Sequence, residues 1–285
     1  MTPLRQQMID AMRQRGFSER THQSYLHAVK ELARYHRRSP SELGIDELQA
    51  FFKYLAVERE LSPASCRLYL NGVRFLYLHV LHWKEFDVPL VVPKREQRIP
   101  ELLTRAEVAR IVAACANPKH RMLLTLCYGC GLRVSELVAV RVRYIDGERK
   151  LLRIEQGKGA KDRLVPLSPG LLAALRRYWH RFRPDDWLFP GTHTPDTPLS
   201  VTTPQKAFLS AKRKSGVTKA GGIHSLRHAY ATHQLENGLP VHQLQRLLGH
   251  GNLQSTLRYI HWVPGVGSGA GAPVDLISDL GVRHG

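Results

Sequence analysis

The chain has 285 residues, of which 42 are Lys or Arg and 24 are Asp or Glu, so its formal net charge is +18. This length fits about two domains. The excess of cations favours a polyanionic partner, because cationic side chains release the counterions condensed on nucleic acids. A run of about 20 apolar residues, which a membrane-spanning helix would need, is absent from the sequence. The N-terminus lacks a signal-peptide core, so we expect a cytoplasmic protein.

The first 86 residues predict a small helical bundle with a cationic side. Apolar residues recur there at helical spacing, and arginine, lysine and histidine occupy the polar faces. A serine followed by proline is typical of a helix start, because proline fits the first helical position. The expected boundaries are a stop at Gly16 and N-caps at Ser18, Asp46 and Ser62.

Residues 87–103 hold three prolines and a basic cluster without sustained periodicity, which predicts an extended linker suited to lying on DNA. Thr104 and Glu107 form a capping box that opens a second domain, which we expect to span 104–263. The segment 264–285 is rich in glycine at first and then reads VDLISDL, which predicts a flexible tail with a short amphipathic helix.

The second domain predicts helices around a small antiparallel sheet, so the whole chain is expected to be mainly α, of the α+β class. Strand-like content is found in VAVRVRYI, KLLRIEQ and DRLVPLS, and GKGAK joins the last two as a hairpin. Ser168 and Thr203, each followed by proline, predict two further helices. Helical pattern resumes at Ser225 and is broken at Asn237-Gly238 and Gly249.

Cys127 and Cys130 form a C-x-x-C pair, which raises the question of zinc or redox chemistry. The pair lies in the apolar stretch MLLTLCYGCG and no second pair stands at ligand spacing, so we expect buried structural thiols. His224 and His228 are four residues apart, as in some zinc helices, but Ser225 replaces the glutamate of H-E-x-x-H. We therefore expect no metal, and we expect His228 and His233 to pack within the domain.

Several residues are suited to chemistry at a phosphodiester. Two arginines can hold nonbridging oxygens with fork-shaped, always-ionised donors, and a lysine on a hairpin tip can protonate a leaving oxygen. Tyrosine, with an ordinary pKa of about 10, becomes a nucleophile where a base takes its proton or cations stabilise the phenolate. The candidates are Arg133, Lys158, His224, Arg227, His250 and Tyr259.

Each of these residues also has an ordinary structural explanation. Arg133 could pair with Glu136 three residues later, Lys158 is a lysine flanked by glycines in a turn, and Tyr259 could be a core aromatic. Their joint occurrence in this order is what favours function. The G-x-x-x-x-G-K-[ST] motif is absent from the sequence, so a nucleotide-hydrolysing motor has little support.

The run HSLRHAYATHQLENGLPVHQLQRLLGHGNLQSTLRYIH resembles the signature region of the tyrosine recombinases, particularly Xer-type enzymes and related phage-type integrases. GCGLRVSEL and GKGAKDRLVPL resemble that family's other two motifs in the right order, and residues 1–86 resemble its SAM-like core-binding domain. The resemblance implies a C-terminal mixed α/β catalytic domain and an active site without cofactor or metal.

The resemblance also implies roles for individual residues. Arg133 and Arg227 would hold the scissile phosphate, Lys158 would be the general acid, and Tyr259 would attack to give a 3′-phosphotyrosine. His224 would assist proton transfer at the nucleophile and His250 would hydrogen-bond a phosphate oxygen. Glu136 would support its helix. Lys161 and Arg163, in the same hairpin, are the nearest rivals to Lys158 for the role of general acid, and we expect them to contact the DNA backbone instead.

Three functional classes remain open at this stage: a site-specific recombinase, a topoisomerase that nicks and reseals without synapsis, and a DNA-binding regulator with an inactive site. The complete residue set disfavours the regulator, and the C-terminal tail disfavours the topoisomerase. The resemblance implies double-stranded DNA with inverted half-sites as partner, bound by a homo-tetramer whose subunits exchange their tails. Immediately before His224 the chain reads AGGI, where Xer-type sequences often have Ser-Pro, and we expect only a loop change there.

Overall fold

A computed structural model describes residues 2–88, 101–155, 162–260 and 262. The chain forms two compact units, Met1–Arg98 and Ile99–Gly285, each with its own hydrophobic core. In the described parts of the chain, 12 α-helices accompany one three-stranded sheet. This agrees with the mainly α class predicted from the sequence. None of the helices in these parts is long and apolar enough to cross a membrane.

The first unit contains four α-helices: α1 (Pro3–Gln14), α2 (Glu19–His36), α3 (Ile45–Lys53) and α4 (Pro63–His79). A 3-10 turn at Pro40–Glu42 and a π-helical turn at Tyr54–Glu58 flank α3. Gly72 lets α4 approach α2 closely, since a Cβ at this position would lie 3.0 Å from Ala28 Cβ.

Three of the four predicted boundaries in this unit are confirmed. Gly16 takes a left-handed backbone conformation after α1, and the hydroxyls of Ser18 and Ser62 cap α2 and α4. The prediction for Asp46 is wrong, because Gly44 is the N-cap of α3. Glu47 at N3 accepts from the Gly44 amide at 2.9 Å, so the glutamate supplies the cap and Asp46 lies in the first turn.

The helices of the second unit surround α6, which is buried along most of its length. These elements are α5 (Arg105–Ala113), α6 (Pro118–Cys130), α7 (Val134–Val138), α8 (Pro169–Phe182), α9 (Thr202–Lys214), α10 (His224–Glu236), α11 (Val241–Leu248) and α12 (Gln254–Ile260). The Thr104–Glu107 capping box of α5 is confirmed, as is the Ser168 cap of α8. Thr203 is not the N-cap of α9, because the helix already includes Thr202.

The sheet consists of β1 (Ile145–Asp146), β2 (Leu151–Ile154) and β3 (Arg163–Pro166), in the order β1-β2-β3. Both pairs are antiparallel, and Ile154 lies opposite Arg163 where the predicted hairpin opens. The strand expected in VAVRVRYI is wrong except at its end. Val138 closes α7 and residues Val142–Tyr144 form a 3-10 turn, so only Ile145 joins the sheet.

The predicted division of the chain can be compared with these units only in part. Of the proposed linker at 87–103, residues 89–100 lie outside the described residues. Val88 packs in the core of the first unit and Leu103 packs in the core of the second. The proposed tail at 264–285 also lies outside them.

Candidate active site

The site begins at the junction of α6 and α7. Gly131 ends α6 in the left-handed conformation, with φ of 59°. The chain then turns so that Arg133 is the N-cap residue of α7, and its backbone amide donates to Glu136 Oε2 at 2.8 Å. The guanidinium Nη1 of Arg133 donates to Glu136 Oε1 at 2.7 Å. The i,i+3 pair considered as an ordinary explanation for Arg133 therefore forms, and 21% of the arginine side chain stays exposed.

Glu136 is the buried carboxylate of the site, with 7% of its surface exposed. Arg163 at the start of β3 donates to both of its oxygens, each at 2.8 Å. Burial alone would raise the pKa of Glu136, but the hydrogen bonds and charge of Arg163, followed by the hydrogen bonds of Arg133, lower it to about 2. The carboxylate is ionised at neutral pH and holds two guanidinium groups.

Arg163 was expected to contact the DNA backbone, and this prediction is wrong. Only 8% of its side chain is exposed, and its donors are engaged with Glu136 and with the Leu247 carbonyl. Arginine suits this position because its rigid fork matches a carboxylate in two-point geometry. Arg163 thus connects β3, α7 and α11.

Arg227 lies one turn into α10 and is 1% exposed. Its Nη1 donates to the Gly131 carbonyl at 2.7 Å and its Nη2 donates to the Leu248 carbonyl at 2.6 Å. Burial, followed by the charge of Arg133, lowers the pKa of Arg227 to about 10. The guanidinium is therefore cationic at neutral pH in spite of its burial.

The C-terminal end of α11 brings the three guanidinium groups together. Helix carbonyls at this end have no partners within the helix, and the helix dipole favours cations there. Gly249 caps the helix in the left-handed conformation and exposes those carbonyls to the site. Arg163 donates to Leu247, Arg227 to Leu248, and Arg133 to both Leu248 and Gly249.

Tyr259 on α12 closes the site and is 2% exposed. Its hydroxyl lies 3.0 Å from Nδ1 of His228 on α10. The ring of His250 lies parallel to the phenol ring, with an interplanar angle of 7° and a centroid distance of 6.2 Å, and Trp262 meets the phenol edge-on at 5.2 Å. Burial raises the pKa of Tyr259, and the nearby charge of Arg227 opposes that rise in part. The free site therefore holds a neutral phenol.

Three histidines near Tyr259 are held in the neutral form. Burial is the largest cause in each case, and nearby arginine charges add to it. The pKa falls to about 4 for His228 and to about 3 for His250, and it is also lowered for His224. His250 Nδ1 is hydrogen-bonded to the Thr256 hydroxyl at 2.8 Å, and the His224 ring packs edge-on against His228 with centroids 4.6 Å apart.

The comparison with known proteins agrees with this geometry. The model of the phage integrase family matches residues 101–264, and the model of the phage integrase N-terminal SAM-like domain matches residues 4–85. An integrase/recombinase of Escherichia coli is 32% identical, with 98% of this chain and 97% of the relative covered. The tyrosine recombinase XerD of Pseudomonas putida is 30% identical, with 91% and 92% covered.

The chain belongs to the phage integrase family of tyrosine recombinases. Members of this family are site-specific recombinases that break and rejoin DNA. The fold agrees, since a crystal structure of a lambda integrase dimer bound to a COC′ core site superposes with a TM-score of 0.73. That superposition covers 90% of this chain and 75% of the integrase chain, at 20% identity.

Five of the six residues proposed for catalysis in this recombinase lie in the described structure. Arg133 and Arg227 share the Leu248 carbonyl, at 3.3 Å and 2.6 Å respectively. His250 lies against Tyr259, and His224 lies against the histidine that is hydrogen-bonded to Tyr259. Lys158 and its rival Lys161 lie outside the described residues.

Two residues that lie in this site were not predicted to lie there. His228 was expected only to pack within the domain, although H-x-x-R-H places it on the helix face of His224, four residues away. Arg163 was expected to contact the DNA backbone. The sequence signal for Arg163 is its position directly after the hairpin and before a buried strand residue, Val165, and this signal is weak.

The cysteines of the recombinase are free and buried, as predicted for Cys127 and Cys130. Burial raises the pKa of Cys127 to about 12 and also raises that of Cys130, so both thiols are protonated at neutral pH. Across the described ranges there is no group of three or more His, Cys, Asp or Glu residues arranged to hold a metal ion.

Proposed function

We propose that this recombinase cleaves and rejoins double-stranded DNA at specific sites through a covalent 3′-phosphotyrosine on Tyr259, without metal or ATP, in a synaptic tetramer. The observation that carries the proposal is the placement of the Tyr259 phenol beside the ring of His250, which directly follows the α11 carbonyls to which Arg133 and Arg227 donate. The proposed nucleophile and the two proposed phosphate-binding groups therefore share one pocket, as attack on a phosphodiester requires.

Arg133 and Arg227 would hold the nonbridging oxygens of the scissile phosphate. Both guanidinium groups donate to backbone carbonyls at the end of α11, so they are oriented before DNA binds. Such preorganised donors stabilise charge that grows in the transition state without a cost of reorganisation at that moment. The proposed hydrogen bond from His250 to a phosphate oxygen would use the same neutral ring that is now bonded to Thr256.

Tyr259 would attack phosphorus, and the 5′-oxygen would leave with a proton from Lys158. The phosphotyrosine conserves the energy of the phosphodiester bond, so rejoining needs no nucleotide. Because Tyr259 is 2% exposed, its hydroxyl has to become accessible before phosphorus can reach it.

The proposal is tested by trapping the covalent intermediate. Duplexes that bind the protein are selected from a random library, and a nicked suicide version is incubated with the protein in EDTA without ATP. We expect an SDS-stable adduct with wild type and none with Tyr259→Phe, while both proteins bind the duplex equally. An adduct that survives the substitution would show that another residue is the nucleophile.

Assembly is tested separately from chemistry. We propose that inverted half-sites are bound by four subunits that exchange the segment 264–285, and that the protein acts on DNA in the cytoplasm. Truncation at Gly265 should leave adduct formation on a single site intact but abolish recombination between two sites. A truncated protein that still recombines would refute tail exchange. Adduct formation and resealing by the full chain without any recombination would favour the topoisomerase alternative.

A further inference from the structure

The Tyr259 hydroxyl has a histidine partner that was not among the residues predicted for catalysis. His228 lies on α10, one helical turn after His224 and directly after Arg227. Its Nδ1 is 3.0 Å from the hydroxyl, a distance typical of a well-formed hydrogen bond. Among the histidines that the structure describes, this is the one hydrogen-bonded to the nucleophile.

We propose that His228 is the catalytic residue that accepts the proton of Tyr259 during strand cleavage and returns it during rejoining, whereas His224 packs against His228 and holds its ring. This inference rests on the proposed function, in which Tyr259 is the nucleophile. The assignment differs from the one that the family resemblance implies, which gives proton transfer at the nucleophile to His224.

Packing fixes the orientation of the His228 ring. His224 meets it edge-on at a centroid distance of 4.6 Å and an angle of 82°, and Trp262 meets it at 5.7 Å and 81°. The Tyr259 ring lies 5.6 Å away. A ring held by these contacts keeps Nδ1 directed at the phenol, and such positioning is a requirement for a general base.

The protonation state of the ring suits this role. Burial first, then electrostatic interaction with His224, and then the charges of Arg227 and Arg258 lower the pKa of His228 to about 4. The ring is therefore neutral, and with its proton on Nε2 it offers Nδ1 as an acceptor. A bound phosphate would neutralise part of the arginine charge and make the imidazolium more stable than in the free protein.

The proton transfer is balanced across the reaction. In cleavage the phenol proton passes to Nδ1 as the phenol oxygen bonds to phosphorus, because bond formation makes this proton acidic. The bond from phosphorus to the 5′-oxygen breaks, and that oxygen takes a proton from the general acid, which we propose is Lys158. In rejoining each proton returns, since the 5′-hydroxyl attacks, the bond to Tyr259 breaks, and the phenol oxygen recovers its proton from His228.

The test separates the nucleophile side of the reaction from the leaving-group side. Adduct formation is measured under single-turnover conditions with an ordinary suicide duplex and with one that carries sulfur at the 5′-bridging position. A thiolate leaves without a proton, so the sulfur substrate should rescue Lys158→Ala. We expect His228→Asn, which keeps a hydrogen-bonding group but cannot take the proton, to slow adduct formation by about 10²–10⁴-fold on both substrates.

Controls keep the result interpretable. His228→Phe retains an aromatic ring and should show the same loss, and His224→Asn should lose less than His228→Asn. DNA affinity and burial of the thiols at Cys127 and Cys130 must match wild type in each variant. Adduct formation by His228→Asn at the wild-type rate, or its rescue by sulfur, would overturn the proposal. A wild-type protein that forms no adduct would instead refute the proposed function.

Discussion

Replacement of Glu136 by glutamine tests whether one buried carboxylate stabilises the arginine cluster. Glutamine keeps the shape but removes the charge that Arg163 and Arg133 share. Removal of one partner from a buried ion pair typically costs about 3–5 kcal/mol, because the other charge remains buried without compensation. The fall in the pKa of Glu136 from 4.5 to about 2 on folding gives a similar value: by linkage, the ionised carboxylate contributes about 3 kcal/mol to the free energy of unfolding.

The dependence on pH distinguishes lost charge from lost packing. The pKa of Glu136 is lower in the folded state than in the unfolded state, so its contribution is present above pH 4.5 and is lost as the pH falls towards 2. The stability difference between wild type and Glu136→Gln should therefore narrow by about 1.4 kcal/mol between pH 5.5 and pH 3.5. A purely steric effect of the amide would leave the difference constant.

The assay has to report on the second unit alone. Cys127 and Cys130 are buried in its core, so their alkylation at increasing urea concentration, read by peptide mass spectrometry, follows the unfolding of that unit. The control is Glu148→Gln at an exposed position, which should change the free energy of unfolding by less than about 0.5 kcal/mol. A change in the free energy of unfolding as small for Glu136→Gln as for Glu148→Gln would show that the carboxylate does not stabilise the cluster. A difference between wild type and Glu136→Gln that stays constant in acid would show the same for its charge.

Three further predictions concern the backbone, the thiols and DNA binding. Gly131 and Gly216 both have positive φ, but a Cβ on Gly131 would lie 2.4 Å from the Tyr230 ring whereas one on Gly216 meets nothing within 4 Å. Replacement of Gly216 by alanine should thus lower the free energy of unfolding in urea by about 1–2 kcal/mol, and replacement of Gly131 should lower it clearly more. Equal losses at the two positions would contradict the steric explanation. All four thiols of the native protein should resist alkylation at pH 8, since burial raises the pKa of each; rapid labelling of Cys127 would count against its burial. Finally, the logarithm of DNA affinity should fall steeply with the logarithm of salt concentration, and a nearly flat line in a titration would exclude binding through several phosphates.

Most of the helix boundaries that we predicted from local signals in the sequence are confirmed. Ser62 and Ser168 cap helices as expected, because a serine followed by proline combines a side-chain acceptor with a favourable first helical residue. The error at Asp46 shows the limit of such signals. Several polar residues near a helix start compete for the cap, and the choice was decided by the reach of Glu47 to the Gly44 amide.

Long-range partners could not be predicted in the same way. Val140 and neighbouring residues have high strand propensity, yet residues 139–144 connect α7 to the sheet without joining it, because tertiary packing overrides a weak local preference. Arg163 and Glu136 are 27 residues apart and meet only because β3 packs beside α7. The positive charge of Arg163 led us to expect a contact with the DNA backbone. In the structure Arg163 is instead bound to the buried carboxylate of Glu136.

Positive charge in the site is concentrated where negative charge would grow during the proposed reaction. Among the described residues of the pocket, three guanidinium groups, of Arg133, Arg163 and Arg227, surround one carboxylate, which leaves two positive charges. The lowered pKa values of His228 and His250 show that a further proton is disfavoured there. A phosphodiester carries one negative charge, and its pentacoordinate form under attack carries two. If the proton of Tyr259 passes to His228 as proposed, the total charge of the site does not change, but negative charge grows on the nonbridging oxygens that Arg133 and Arg227 would hold. An interaction that strengthens at this point lowers the barrier rather than merely binding DNA.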